Sequence, residues 1–120
     1  MNEVRLHVTG IGSFFDEAAK AAREIDRGEL GEQPAEVAFQ TMDLLLKVLT
    51  PNRWRLLRAL KVKGPTSIRQ LSQKLDRDYR GVHADVSALL DVGLVEKNAA
   101  GAICVRWDRI VAEMDLTEAA

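Results

Sequence analysis

Two arginines, Arg77 and Arg80, stand at the entrance to the stretch Tyr79-Arg80-Gly81-Val82-His83-Ala84-Asp85-Val86-Ser87-Ala88-Leu89-Leu90-Asp91. A guanidinium can donate two hydrogen bonds to a guanine edge, a contact worth about 1 to 3 kcal/mol of discrimination between bases. If this stretch is a helix lodged in a major groove, its N-terminal half faces the bases. Arg80 is then the first candidate reader, and Arg77, in the preceding turn, reads a base or grips a phosphate. His83 and Ser87 are weaker candidates on the same helix, and Tyr79 can set its hydroxyl on a phosphate while its ring packs inward. Phosphate contacts need only charge and reach, which adds Arg53, Arg69, Lys74, Lys97 and Arg106; for any one of them a solvated basic side chain is the plain alternative. Gly81 and Ala84 are shorter than the polar side chains common on base-reading helices, and they would let the backbone approach DNA closely.

The acids in this region read as structural. Asp78 can cap the helix and Asp85 can orient an arginine. No Ser/His/Asp set, glycine-rich phosphate loop or paired carboxylate emerges, so an enzyme is not expected. Cys104 is the only cysteine, and His7 and His83 lie far apart without ligand spacing around them, so no disulfide, metal or cofactor is expected. Within Ala102-Ile103-Cys104-Val105, Cys104 reads as a small buried hydrophobe. His7 reads as a solvated residue on the polar face of a strand.

The elements that must position these residues can be followed along the chain. Val4, Leu6 and Val8 alternate with polar residues and predict a half-buried strand. Ser13 caps a helix in which Phe14, Phe15, Ala18, Ala21, Ala22 and Ile25 recur at helical spacing, and Glu29 to Pro34 reads as a polar loop. Glu36 to Gln40 alternates again and predicts a short strand able to pair with the first. Residues 42–49 form a helix so apolar around its circumference that it should be buried. Thr50-Pro51 starts the next helix, with Trp54, Leu57 and Leu60, widened by Leu56, as its core stripe, and Gly64-Pro65 stops it. Ser67 and Gln70 form a capping box for a further helix whose Ile68, Leu71 and Leu75 face inward. In the helix from Tyr79, the inner face is Tyr79, Val82, Val86, Leu89 and Leu90, and the outer face is Arg80, Ala84, Ser87 and Asp91. Gly93 ends that helix. Leu94 to Lys97, the turn Asn98-Ala99-Ala100-Gly101, and a strand through Ile103, Val105 and Trp107 then make a β-hairpin. Core packing is expected for Trp54 and Trp107 alike. Beyond Asp108, a last short strand or arm precedes the tail, with a helix nearly as compatible.

The pattern predicts an α+β chain: a winged helix-turn-helix of three helices plus a β-hairpin wing, behind a small strand-helix-strand-helix extension. The domain limits it implies are 1–49, 50–107 and a C-terminal arm at 108–120. Hydrophobic residues make up 47% and charged residues 29% of the 120-residue chain, an ordinary globular composition with room for a core. Its apolar runs are too short to span a bilayer, and no leader pattern precedes a cleavage site, so a cytoplasmic protein without membrane contact is expected. The net charge of −1 conceals a partition. Residues 1–50 carry five Lys/Arg against nine Asp/Glu, residues 51–97 carry ten against five, and residues 98–120 carry two against four. The excess of positive charge therefore coincides with the helix-turn-helix.

Leu49-Thr50-Pro51-Asn52-Arg53-Trp54-Arg55-Leu56-Leu57-Arg58-Ala59-Leu60, the Ser67 to Leu75 helix, Tyr79 to Val86, and Leu89 to Val95 resemble winged-helix regulators of the MarR-like kind. More closely, the chain resembles a prokaryotic group of DNA-binding proteins that occur as antitoxins beside a small toxin, a resemblance that covers nearly the whole chain. It implies repression of the protein's own operon and binding of a cognate toxin. Regulators of this type act as symmetric dimers on palindromic DNA, so a homodimer on double-stranded DNA is expected. With about six phosphates neutralised, affinity should fall with salt at a log-log slope near −5. The competing reading is a winged-helix module that binds protein and no DNA.

Overall fold

The computed structural model describes residues 2–9 and 35–117. The expected helix from Ser13 and the loop from Glu29 to Pro34 lie outside the described residues. In chain order the elements are β1 (Glu3–Val8), β2 (Ala35–Phe39), α1 (Met42–Val48), α2 (Pro51–Lys63), α3 (Ile68–Leu75), α4 (Tyr79–Asp91), β3 (Glu96–Lys97), β4 (Ile103–Cys104) and β5 (Arg109–Ala112). The chain is thus an α+β protein with four helices among the described residues. Contacts divide it into two units, one holding Asn2 with residues 46–109 and the other holding residues 3–9, 35–45 and 110–117. The division falls inside α1 rather than near Pro51, and the C-terminal strand belongs with the N-terminal residues.

In the second unit the sheet order is β2-β1-β5. Strands β1 and β2 run parallel, with Val4 opposite Ala35 and Val8 opposite Phe39. Period-two alternation sends Val4 and Leu6 to one face, where they are 1% and 0% exposed. The Glu113 N–H donates to the Leu6 carbonyl at 2.9 Å, and the Arg5 guanidinium bonds the Glu113 carboxylate, so the chain after β5 is tied to β1. His7 is not solvated as expected: its side chain is only 12% exposed, and its Nε2 lies 3.4 Å from the Glu36 carboxylate on the neighbouring strand. Lateral pairing of β1 with β2 covers a side chain that alternation alone assigns to water.

The apolar helix α1 departs from expectation. Only Leu45 is buried, while Leu44 and Leu46 are 43% and 51% exposed. A helix of two turns presents one narrow stripe to its neighbours, and leucines on either side of that stripe face outward.

The first unit is built on α2, α3 and α4. Thr50 accepts the Arg53 N–H and Pro51 opens α2, whose C-terminus closes with Gly64 at φ 83° donating to the Leu60 carbonyl. The residues of α2 that are buried are Leu56, Leu57 and Leu60. Trp54, expected in the core, is 50% exposed, because the stripe centred on 53, 56, 57 and 60 leaves residue 54 about a third of a turn away. Its indole carries the Arg58 guanidinium at 5.2 Å instead. Leu71 of α3 and Val82, Val86 and Leu89 of α4 complete the helical core, and Leu94, Val95, Ile103 and Trp107 close it. Trp107 reaches that position without belonging to β4, and its Nε1 donates to the Gly93 carbonyl at 3.1 Å. Cys104 is partly exposed rather than buried.

Asn2 accepts the Asp108 N–H at 2.7 Å and donates its own N–H to the Asp108 carboxylate at 2.9 Å, and Lys61 lies 3.1 Å from that carboxylate. The Asn2 N–H first, and Lys61 second, hold the Asp108 carboxyl below its ordinary range. A depressed carboxyl pKa contributes stability above the unfolded value, and that contribution is lost as pH falls through the folded one. The stability difference between wild type and Asp108→Asn should therefore be full above about pH 4 and shrink progressively as pH falls from there through the lowered folded value, as read from urea unfolding across pH. Leu60→Ala should cost about 2 to 5 kcal/mol in the same assay, and Val62→Ala, at an 81% exposed position of the same helix, less than about 0.5.

Candidate nucleic-acid interface

The α3–α4 connection sets the interface. Asp76 ends α3 in the left-handed conformation at φ 52°, and its N–H and that of Arg77 fold back onto the Ser72 and Gln73 carbonyls. Asp78 then caps α4, its carboxylate accepting the Gly81 N–H at 2.9 Å. The two helices are thus joined by a turn in which Asp78 has the capping task expected of it. Ser67 caps α3 by accepting the Gln70 N–H at 3.1 Å, but the capping box is only half formed. Gln70 uses its side-chain oxygen to accept the Thr66 hydroxyl at 2.8 Å.

Burial of Val82, Val86 and Leu89 turns the opposite side of α4 outward. Arg80, His83 and Ala84 are exposed there, and Ser87 is half-buried. Tyr79 is 46% exposed, contrary to the expectation that its ring packs inside. It occupies the first position of α4, past the end of the core, with the Arg69 guanidinium 5.6 Å from its ring and the His83 ring 5.8 Å away and tilted.

A cleft of about 250 Å³ opens beside this ring, lined by Thr66, Ser67, Ile68, Arg69, Tyr79, Lys97, Gly101 and Ile103. It forms because Thr66 and Ile103 exchange backbone hydrogen bonds of 3.1 and 2.9 Å, which draws the antiparallel β3–β4 pair against the start of α3. The turn from β3 to β4 is tight: the Asn98 side chain accepts from the N–H groups of Ala100 and Ala102, each at 3.0 Å, and Gly101 takes φ 83°. Arg69 and Lys97 supply positive charge to this cleft. The N-terminus of α3 adds outward-pointing N–H groups, and Tyr79 adds a hydroxyl. Thr66 and Gly101 carried no functional signal in the sequence, since their role comes from pairing between segments far apart in the chain.

The remaining basic candidates separate by partner. Arg53 is 19% exposed; it donates Nε to Asp85 Oδ1 at 3.1 Å and one terminal nitrogen to the carbonyls of Lys47 and Val48 at 2.9 and 3.1 Å. Arg77 lies 2.9 Å from Asp85 Oδ2. Arg106 follows β4 instead of lying within it, with its guanidinium over the Trp107 ring at 4.1 Å and 3.9 Å from Glu96. By contrast, Arg69, Lys74, Arg80 and Lys97 are exposed and make no ion pair among the described residues. Asp85 therefore orients two arginines where the sequence suggested one.

Among the described residues, no group of three His, Cys, Asp or Glu is placed to hold a metal ion. None of their helices is long and apolar enough to cross a membrane. What the fold and this surface define is an α+β protein whose last helix exposes a short polar and basic stripe beside a positively charged cleft. The chain belongs to the HVO_A0114 family, whose model matches residues 48–112, from the end of α1 to the end of β5. No curated protein and no solved structure matches the chain.

The cap on α4 is open to direct test. Asp78→Ala should destabilise the protein by about 0.5 to 2 kcal/mol in chemical denaturation, and Asp78→Asn, which keeps an acceptor for the Gly81 N–H, by less.

Proposed function

We propose that the protein is a winged helix-turn-helix DNA-binding regulator in which α3 and α4 form the helix-turn-helix and the β3–β4 pair is the wing. The observation that carries this reading is the meeting of Arg69 and Lys97, neither in an ion pair among the described residues, in the cleft beside Tyr79 at the start of α4. Arg80 stands on α4, Lys74 on α3, and Arg69 with Lys97 on the two sides of the adjoining cleft. Phosphate contacts fix the register of a helix in a major groove, and the cleft beside Tyr79 offers cations for them. Arg80 is the base reader with the reach and the freedom for a guanine edge; His83 and Ser87 complete the stripe. Tyr79, beside Arg69 and His83, offers its hydroxyl to a phosphate.

Repression of its own operon, action as a homodimer, and neutralisation of a cognate toxin extend this reading on the strength of the resemblance to antitoxin regulators. A protein-only interaction module is favoured by one observation, the half-exposed Trp54 under Arg58 on a surface helix. The absence of catalytic and cofactor chemistry is part of the same proposal.

Binding to the duplex upstream of the protein's own gene decides between the two. Arg69, Lys74 and Lys97, with Arg80 left to a base edge, give an expected log-log salt slope of about −3 per protomer, shallower than the sequence alone suggests because Arg53, Arg77 and Arg106 are engaged within the protein. A slope near zero sinks the DNA reading and leaves the protein module. Arg80→Ala should cost about 1 to 3 kcal/mol on the preferred duplex and little on a scrambled one.

A further inference from the structure

Asp85 lies on α4 within reach of the proposed DNA surface, and its side chain is only 14% exposed. An isolated carboxylate so placed would oppose DNA and would carry a large desolvation penalty. It is instead met by two guanidinium groups that hold it in different ways. Arg53 donates a well-directed Nε–H to Oδ1 and is anchored independently by the carbonyls of Lys47 and Val48, at the C-terminus of α1. Arg77 comes within 2.9 Å of Oδ2, yet that oxygen has no directed hydrogen bond, and the second terminal nitrogen of Arg77 is buried without a partner. Arg53 is held by geometry and Arg77 by charge.

Gly81 leaves room beside the Arg77 contact. A Cβ at that position would stand 3.3 Å from the Arg77 guanidinium and 3.1 Å from the Asp78 carboxylate. The missing side chain leaves a path along the first turn of α4 by which Arg77, four residues before Gly81, reaches Asp85, four residues after it.

We infer that Asp85 is a positioning residue that withholds Arg77 from DNA, so that the protein grips the phosphate backbone with one cation fewer than its surface holds and leaves discrimination to Arg80. This inference rests on the DNA-binding reading. Backbone contacts raise affinity for every sequence equally, whereas base contacts separate one sequence from another. A carboxylate that retains an arginine beside the reading helix therefore lowers non-specific binding without touching the base-contacting stripe. The asymmetry of the two arginines makes Arg77 the one that can be released. An asparagine at position 85 still offers a carbonyl oxygen to Arg53, but it has no charge with which to hold Arg77.

The test is the salt dependence of binding to a scrambled duplex and to the duplex upstream of the gene. Asp85→Asn should bind the scrambled duplex more tightly and steepen the salt slope by about 0.9 per protomer, equivalent to roughly threefold more affinity lost over a roughly fourfold rise in salt. The ratio of specific to scrambled affinity should fall. Asp91→Asn removes the same charge from the exposed end of α4 without touching Arg77, and its slope should equal that of wild type. Arg77→Gln added to Asp85→Asn should restore the wild-type slope, an outcome that a purely structural role for Asp85 does not give. If Asp85→Asn fails to fold, Arg77→Gln alone decides: an unchanged slope supports the inference, and a slope shallower by about one contact overturns it. Wild-type binding with Asp85→Asn at an unchanged slope also overturns it. A wild-type protein without any salt-sensitive complex overturns the DNA reading itself.

Discussion

Burial of three residues on one side of α4 constrains the first unit more than any other contact. With Val82, Val86 and Leu89 at zero exposure, 100° per residue sends Arg80, Ala84 and Ser87 to the opposite side. The same rotation sets Asp85 at the border between core and solvent, where a carboxylate must find cations. The stretch from Leu94 to Trp107 then covers what the helices leave open. Leu94, Val95, Ile103 and Trp107 bury their side chains, while Thr66 and Ile103 join the α2–α3 connector to the β3–β4 pair. The cleft beside Tyr79 is a by-product of that junction, and so is the juxtaposition of Arg69 with Lys97 around it.

Charge on this surface is less uniform than a count of residues implies. The basic excess of residues 51–97 resolves into cations that face solvent unpaired and cations that the protein uses internally. Arg53 ties Asp85 to the end of α1, Arg77 neutralises the same acid, and Arg106 lies over an indole. A paired arginine at the border of the core holds elements together, whereas an exposed lysine on a short strand holds nothing. Phosphate affinity should follow the second kind. The proposed role of Asp85 is the boundary between the two kinds, placed on α4 itself.

Much of the scaffold was legible along the chain. Thr50-Pro51, Ser67, Asp78 and Gly93 mark the helix limits because capping is local chemistry, decided by a side chain and an N–H three residues away. The strands at Val4 and Val37 were legible from alternation, although their parallel pairing was not. The misreadings share one cause. Trp54, Tyr79 and Leu46 belong by residue type to an apolar interior, but each lies at the edge or the tip of a helix and stays about half exposed. His7 errs in the other direction, since the strand beside it covers a side chain that periodicity assigns to solvent. Whether a residue at such an edge is covered depends on an element elsewhere in the chain, and periodicity holds no information about that element.

The sequence by itself determined the helices from Pro51 onward and their ends, the concentration of basic residues between positions 51 and 97, and the α4 face that carries Arg80, Ala84 and Ser87. All of these follow from contacts within a few residues or from composition. Only the tertiary structure decided which arginines remain free, that Asp85 gathers two of them from residues 8 and 32 positions away, and that Thr66 meets Ile103 to form the cleft. It also decided that the chain after Asp108 joins β1 and β2 in one sheet. These are partnerships between segments apart in the chain, driven by the cost of leaving buried charges and backbone groups unmatched, and that cost acts only once the chain has closed on itself.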